Sequence, residues 1–168
     1  KKLNSSQSIK IYNHDARKKN HNVKDNSVNI VFTSPPYLNN FDYGESLKIF
    51  LYFWRYADDW AEITKKFRMK SVASATTYYH ESEWTCKPTE DIFGTEFVRN
   101  LPKLADEISS KVKLISIAKK YNGTKKSFDI LTALYFKDMF FALKEMYRIM
   151  KENTYAFLII GDSAPCGV

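Results

Sequence analysis

The chain has 168 residues, of which 44% are hydrophobic and 15% aromatic, which is enough apolar material for one domain with a core and too much for a disordered segment. No apolar run approaches the roughly 20 residues that span a bilayer, and the residues after Lys1 and Lys2 are polar, so we expect neither a membrane span nor a signal peptide. The net charge of +7 favours a polyanionic partner. The alternative explanation for the many lysine and asparagine residues is the codon usage of an AT-rich genome.

The cysteines and histidines do not form a metal-binding pattern. Cys86 and Cys166 lie far apart, with no Cys-x-x-Cys and no Cys/His spacing. The three histidines, His14, His21 and His80, are scattered along the chain, and we assign none of them a catalytic role. The expected protein is therefore reduced and cytoplasmic, and it binds no metal.

Three apolar runs predict strands. Residues 8–12 alternate apolar and polar positions and lead to Asp15, after which a basic, polar connection covers 16–26. Val28–Phe32 is a continuous β-branched run, and Tyr155–Ile160 is a second continuous apolar run. Runs of this kind are typical of strands that are buried on both faces.

The segments between the last two strands predict helices. The first covers Gly44 to about Trp60, the second covers 100–120 and ends at Asn122-Gly123, and the third runs from about Phe128 to Lys151, before a turn at 151–154. A strand, a long helical excursion and a strand predict a parallel crossover, hence an α/β sheet. We expect the aromatic residues of these helices to lie in the core, with a base-stacking platform as the alternative for the four in the first helix: Phe50, Tyr52, Phe53, Trp54, Phe140 and Phe141.

Residues 65–99 predict an irregular insertion with one short helix at most. The segment combines a basic stretch, KKFRMK, with a run rich in hydroxyl groups and aromatic rings, SVASATTYYHESEW. Loops on a rigid scaffold often carry specificity, so the insertion is a candidate for target recognition, with a packing role as the alternative. KKFRMK at 65–70 and KKYNGTKK at 119–126 are candidate phosphate contacts, with a solvated lysine-rich surface as the alternative.

Polar segments follow two of the predicted strands. Ser34-Pro35-Pro36-Tyr37 comes directly after the second strand, and Gly161-Asp162-Ser163 comes directly after the last. Ligands of open α/β sheets bind outside the carboxyl ends of the strands. We therefore expect both segments at the functional edge of one sheet.

The Ser-Pro-Pro-Tyr segment suits an amino group as its ligand. Each proline removes a backbone donor and fixes its own φ, which leaves the carbonyls of Ser34 and Pro35 as rigid acceptors. Two acceptors on one exocyclic amino group localise the nitrogen lone pair and stabilise the positive charge that develops when the nitrogen is methylated. Tyr37 offers a flat face for a flipped base. The alternative is a turn that merely ends the strand.

These residues resemble the amino-methyltransferases of DNA, whose catalytic motif is Asp/Asn/Ser-Pro-Pro followed by an aromatic residue. The longer stretch TSPPYLNNFDY is similar to a bacterial subgroup of DNA methylases. The resemblance continues in HDAR, in SATT and SEW, and in EMYRIMKENTYAFLIIGDSAPCGV, which is similar to a family stretch of the form EvYRvLKpGG…GDS. It covers nearly the whole chain.

The resemblance implies a Rossmann-like methyltransferase fold, a parallel or mixed sheet flanked by helices, and S-adenosyl-L-methionine as cofactor. It implies that Ser34, Pro35, Pro36 and Tyr37 bind and activate the target amino group. It places three residues at the cofactor: Asp15, Ala16 and Thr33. It places a further set at the substrate, with Gly161 beside the catalytic loop: Asn39, Asn40, Asp42, Tyr43, Asp162 and Ser163. A turn residue is the alternative for Asp15, and a cap or turn ligand is the alternative for Asp162.

The sequence departs from the family in two places. Lys-Glu-Asn-Thr replaces Lys-Pro-Gly-Gly, where Asn153 can take the left-handed conformation of a glycine. The cofactor loop of the family, of the form DPFxGxG, does not occur, and Gly94 in DIFGTEF lacks a second glycine. We therefore expect residues 1–168 to form the catalytic portion of a methyltransferase domain, in an incomplete fold. We expect the cofactor-binding half elsewhere in the same protein or on a second chain.

The expected function is methylation of an exocyclic amino group of a DNA base, with cytosine N4 favoured and adenine N6 as the alternative. The resemblance implies a bacterial cytoplasmic enzyme of the restriction–modification kind, with DNA as its partner. We expect these 168 residues alone to be inactive and to bind S-adenosylmethionine weakly or not at all. The other functions that fit are an amino-methyltransferase of RNA or protein and a non-catalytic nucleic-acid-binding subunit.

Overall fold

The computed structural model describes residues 8–38, 41–75, 89–123 and 127–168. A sheet of two strands and five α-helices are formed within them, together with short 3-10 turns at Arg68–Lys70 and Pro165–Gly167. The main elements in chain order are β1 (Val28–Thr33), α1 (Tyr43–Phe53), α2 (Trp60–Lys66), α3 (Thr89–Asn100), α4 (Pro102–Tyr121), α5 (Phe128–Ile149) and β2 (Met150–Leu158). None of the described helices is long and apolar enough to cross a membrane.

The two strands are parallel, as the crossover pattern predicts. Residues 30–33 of β1 pair in continuous register with 155–158 of β2, whereas Val28 pairs with Met150. The extra residues of β2 form a bulge, in which Asn153 adopts a φ of 57°. The prediction that Asn153 takes a left-handed conformation is confirmed, and the predicted turn at 151–154 lies inside the strand as this bulge.

Helices α3, α4 and α5 pack on one another and form the main core. The apolar side chains of α4 recur at helical spacing, so one face of that helix is buried. The rings of Phe93 and Phe97 stack with centroids 4.9 Å apart, and Phe140 meets Phe97 edge-on at 5.2 Å. The buried members of this cluster are Phe93, Phe97, Ala105, Ile108, Val112 and Ala133. The predicted bounds of α4 and α5 are confirmed to within two residues, and Asn122 caps α4 as predicted.

The predicted strand at 8–12 is wrong. These residues have no regular secondary structure, and the side chains of Ile9 and Ile11 are exposed. A strand needs a neighbour for its backbone hydrogen bonds, and β1 and β2 pair only with each other in the described part of the chain.

The prediction that β1 and β2 are buried on both faces is also wrong. Ile30, Phe32, Tyr155 and Phe157 are all more than half exposed. The physical reason is that the described helices pack mainly on one another and leave this apolar sheet surface uncovered.

The helix predicted from Gly44 to Trp60 is two helices. The first, α1, ends at Phe53, and Arg55 takes a φ of 55° shortly after it. The second, α2, begins after Asp59, whose carboxylate accepts a hydrogen bond from the Glu62 amide. The aromatic stripe predicted as core is mostly solvent-exposed, because α1 buries little beyond Leu51; its exposed members are Phe50, Tyr52, Phe53 and Trp54.

The irregular insertion predicted at 65–99 contains more regular structure than expected. Its start completes α2, and its end is α3, which is interrupted by Gly94 at a φ of 74°. Phe93 and Phe97 lie four residues apart, and this helical spacing is the signal that our sequence analysis missed. Residues 76–88, with the aromatic part of the predicted recognition segment, and 124–126 of KKYNGTKK lie outside the described residues.

Candidate functional site

The structure places the Ser34–Tyr37 segment at the carboxyl end of β1, beside the residues that follow β2. The Ile159 amide donates a hydrogen bond to the Thr33 carbonyl at 3.0 Å, which extends the pairing of the two strands by one step. The Ser34 hydroxyl donates to the Ile159 carbonyl at 3.3 Å and lies 3.0 Å from the Tyr37 hydroxyl. The hydroxyl groups at both ends of the segment are therefore joined to each other and to the neighbouring strand.

Two side chains hold the backbone of this loop from outside. The buried Tyr135 hydroxyl, on α5, donates to the Pro36 carbonyl at 3.0 Å. The Ser163 hydroxyl donates to the Leu38 carbonyl at 2.6 Å. No described donor bonds to the Ser34 or Pro35 carbonyl. Among the described donors, none bonds to the acceptor pair predicted from the sequence, while the Pro36 carbonyl accepts from Tyr135.

Gly161 brings the chain after β2 against the Tyr37 ring. A Cβ atom built at Gly161 would lie 2.9 Å from Cδ2 of Tyr37, so any side chain there would displace the ring. A cavity of about 330 Å³ opens beside this contact. Its lining residues are Tyr37, Leu38, Gly161, Asp162, Ser163, Ala164 and Pro165. The cavity joins the two polar segments that the sequence assigns to one sheet edge.

Asp162 and Ser163 lie in this cavity with different partners. The Asp162 carboxylate accepts a hydrogen bond from the Ser163 amide at 2.9 Å, a local turn contact that matches the alternative given for Asp162. Asp162 is otherwise exposed, whereas the Ser163 hydroxyl reaches across to the Leu38 carbonyl. Ser163 therefore contributes directly to the shape of the loop at 34–38.

Asp15 is held by an ion pair. Arg17 donates from Nε to Asp15 Oδ1 at 2.9 Å and from Nη2 to Oδ2 at 3.0 Å, and its Nη1 reaches Asp138 on α5 at 2.9 Å. The hydrogen bond from Arg17 lowers the pKa of Asp15 below its ordinary value. The Asp15 carbonyl also accepts from the Lys18 amide at 3.0 Å, which makes Asp15 the first residue of a turn, with Ala16 exposed at its tip.

The three residues predicted at the cofactor do not share one described cavity. Asp15 lines a cavity of about 900 Å³ together with Tyr43 and Asp138, and neither Ala16 nor Thr33 lines it. Thr33 is the last residue of β1 and takes part in the sheet pairing.

Asp42 begins α1 and anchors it. Its Oδ1 accepts from the Glu45 amide at 3.0 Å, and its Oδ2 accepts from Arg68 Nη2 at 2.9 Å. The Arg68 side chain is only 3% exposed and stacks over the Trp60 ring at 4.7 Å. The neighbouring Tyr43 ring is partly exposed and packs edge-on against Phe41. Asn39 and Asn40 lie outside the described residues.

Sequence reasoning missed Tyr135 as a residue of this site. Tyr135 lies on the buried apolar face of α5, so the sequence pattern indicates only a core position for it. A buried tyrosine normally finds a hydrogen-bond partner for its hydroxyl, so a tyrosine in such a stripe is a signal that a polar group lies nearby. Burial raises the pKa of Tyr135 above its ordinary value, which keeps the hydroxyl protonated as a donor.

Comparisons of the chain with protein-family models, with curated proteins and with solved structures find no match. Among the described residues, no group of three or more His, Cys, Asp and Glu side chains is arranged to hold a metal ion.

Proposed function

We propose that this chain holds the exocyclic amino group of a DNA base for methylation and forms the catalytic portion of a Rossmann-like methyltransferase. The observation that carries the proposal is a pair of carbonyl acceptors, Ser34 O and Pro35 O, at the carboxyl end of a parallel strand. No described donor bonds to either of them. The loop that carries them is held on both sides by Tyr135 and Ser163.

The acceptor pair has a defined chemical task. The lone pair of an aromatic amine is delocalised into the ring, which makes the nitrogen a poor nucleophile. Hydrogen bonds from both amino hydrogens to Ser34 O and Pro35 O favour a tetrahedral nitrogen and offset the positive charge that develops on it. These acceptors are fixed before the reaction by proline and by hydrogen bonds, so they need no reorganisation.

The Tyr37 ring supplies the stacking surface in this proposal. Its ring lines the cavity of about 330 Å³ beside Gly161, next to Asp162 and Ser163. A base that leaves the duplex stack loses its stacking energy, and an aromatic side chain restores part of it. We propose Asp162 and Ser163 as the polar groups nearest to the flipped base.

The described residues do not by themselves fit S-adenosylmethionine, which would supply the electrophilic methyl group. Both Asp15 oxygens are engaged by Arg17, and Asp15 and Thr33 do not line one described cavity. We assign to this chain the amino-group site, and we propose that a further segment of the protein or a second chain provides the cofactor site.

The exposed sheet is the surface that we propose for this cofactor-binding half. Parallel sheets are normally covered on both faces, yet Ile30, Phe32, Tyr155 and Phe157 are largely exposed. Each strand pairs on one side only within the described residues. Additional strands beside β1 or β2, with their own helices, would bury these side chains and bring the cofactor to the edge where Ser34 lies.

Substitution of Tyr37 tests the proposal. The assay is tritiated methyl transfer to unmethylated DNA by the full protein that contains this chain, or by the chain combined with its cofactor-binding partner. Tyr37→Ala removes the stacking surface, which is worth about 1–3 kcal/mol per base, so we expect transfer to fall by roughly 10- to 100-fold. Tyr37→Phe keeps the ring and should retain activity within a few-fold.

Ser34→Ala and the analysis of products complete the test. Ser34→Ala removes the hydroxyl that contacts Ile159 and Tyr37, and we expect a smaller loss than for Tyr37→Ala. Nucleoside analysis of the DNA should give N4-methylcytosine or N6-methyladenine. Transfer to RNA or protein but not to DNA would move the activity to that substrate. Wild-type rates in Tyr37→Ala would remove the site assignment, and DNA binding without transfer by the complete protein would indicate a binding subunit.

A further inference from the structure

We propose that Tyr135 is a positioning residue that selects which carbonyls of the Ser34–Tyr37 loop face the target amino group. This inference rests on the proposed function, because it concerns the same site. Tyr135 is only 8% exposed and lies in the first half of α5, the longest described helix. Its hydroxyl donates to the Pro36 carbonyl at 3.0 Å, a contact across 99 positions of sequence.

The hydrogen bond fixes the one soft dihedral angle that the prolines leave free. The Pro36 ring sets φ of that residue, and a bond to its carbonyl oxygen sets ψ. The peptide planes on both sides of Pro36 then have one orientation. Ser34 and Pro35 each precede a proline, which restricts ψ of both residues to extended values, so the Pro36 contact restrains the backbone angle that the prolines leave free in this segment.

The same bond removes a competing acceptor. Three consecutive carbonyls, of Ser34, Pro35 and Pro36, could accept from an amino group that carries only two hydrogens. With Pro36 O bound to Tyr135, the two carbonyls that remain are those on the Ser34 side, toward the strand. The arrangement therefore favours the Ser34 and Pro35 carbonyls as the pair that faces the amino group, since each keeps both of its lone pairs among the described contacts.

Helix α5 is a suitable support for this role. Residues Leu131 and Leu134 of the same helix are buried against Ala73, and the Tyr135 ring packs edge-on against Phe136 at 5.5 Å. A hydroxyl on a helix packed in this way holds its position better than one on a surface loop. Loss of the hydroxyl would leave the helix packing in place and free the Pro36 carbonyl.

The test compares Tyr135→Phe with Tyr147→Phe in the complete protein. Both substitutions remove one phenolic hydroxyl from α5, but Tyr147 is exposed. We expect Tyr135→Phe to lower kcat for methyl transfer to DNA by roughly 10- to 100-fold, because a displaced reacting group costs that much, while KM for DNA stays within about three-fold. Tyr147→Phe should match the wild type in both constants.

A spectroscopic measurement checks the contact without relying on activity. Pro36-Tyr37 is the one Pro-Tyr pair in these 168 residues, so carbonyl-¹³C proline combined with ¹⁵N tyrosine in this chain gives a single correlation that reports the Pro36 carbonyl. We expect this signal to move in Tyr135→Phe and to stay in place in Tyr147→Phe.

Each result supports or overturns the inference. A changed Pro36 signal together with a loss in kcat and an unchanged thermal midpoint supports it. An unchanged Pro36 signal overturns it, and so does wild-type kcat with a changed signal. A loss of kcat that only follows a loss of folded protein also overturns it and indicates a structural role. If the wild-type protein transfers no methyl group, the proposed function fails, and this inference fails with it. If the wild type transfers methyl groups and the Tyr135→Phe variant does so at the same rate, only this inference is overturned.

Discussion

Phe93 and Phe97 in α3 are each 1% exposed, whereas Phe32 in β1 and Phe53 in α1 are 72% and 75% exposed. The same side chain is therefore core in one region and surface in the other. The helical layer of α3, α4 and α5 buries Phe93 and Phe97 in its core. The sheet and α1 leave theirs exposed, in an amount that monomeric proteins normally avoid unless another surface covers it.

The two regions are also held by different forces. Apolar packing unites the helical layer, while ion pairs join segments outside it: Asp42 with Arg68, Arg17 with Asp15 and Asp138, and, at the amino end of β1, Arg148 with Asp25 and Glu145. Ion pairs depend on geometry and protonation, whereas apolar packing depends on area. The difference indicates that buried apolar area stabilises the helical layer, whereas ion pairs hold the segments outside it in place.

The largest expected effect tests the difference in burial. Phe97→Ala removes a buried ring and should lower the free energy of unfolding by about 3–5 kcal/mol. Phe53→Ala removes an exposed ring and should change it by less than about 0.5 kcal/mol. Urea unfolding followed by circular dichroism gives both values. Equal losses would mean that α1 is as well packed in solution as the helical layer, and the comparison would not hold.

A smaller effect is expected at the anchor of α1. Asp42→Ala removes the helix cap and leaves the buried Arg68 guanidinium without this carboxylate, so we expect a loss of about 2–4 kcal/mol in the free energy of unfolding. Asp58→Ala, at an exposed position one residue before the cap of α2, is the matched control and should cost little. If Asp42→Ala keeps full stability but loses DNA binding, Asp42 acts on the substrate and not as an anchor.

The smallest effect concerns pH. Hydrogen bonds from Arg148 lower the pKa of Glu145 from 4.5 to about 2. Because the folded pKa lies below the ordinary value, this carboxylate contributes its full stability above about pH 4.5 and loses it as the pH falls toward about 2.

Glu145→Gln tests this contribution. We expect it to lower the free energy of unfolding at pH 7 by about 1 kcal/mol and to make the decline between pH 4.5 and 2 shallower. Glu152→Gln, in the exposed bulge, should leave the pH dependence as in the wild type. An acid profile of Glu145→Gln identical to that of the wild type would show that this ion pair adds nothing to stability.

The sequence predicts helices and strands well where a pattern of apolar residues continues over many positions. The spacing of Leu104, Ile108, Val112 and Ile115 locates α4, and the two apolar runs around the crossover locate a parallel strand pair. It also predicts that the Ser34 and Gly161 segments meet, because parallel strands share their carboxyl edge.

Burial is what the sequence could not predict. An apolar run such as that of β1 shows that a side chain prefers to be covered, but not whether this chain supplies the cover, and Phe53 and Phe32 are exposed for that reason. The predicted strand at 8–12 is wrong for a similar reason, because a segment forms a strand only where a neighbouring strand accepts and donates its backbone hydrogen bonds. Tyr135 was missed because its contact with Pro36 O joins positions 99 residues apart, and no local pattern encodes such a distance.

The bulge in β2 makes the chain tolerant of added length at one defined point. Residues 151–153 are exposed, and the pairing of 155–158 with 30–33 resumes in register regardless of the extra residues before it. A fluorophore, spin label or short peptide tag introduced at Glu152 would therefore leave both the end of α5 and the Ser34 edge in place. This position offers a reporter site from which the approach of a nucleic acid or a second chain can be followed.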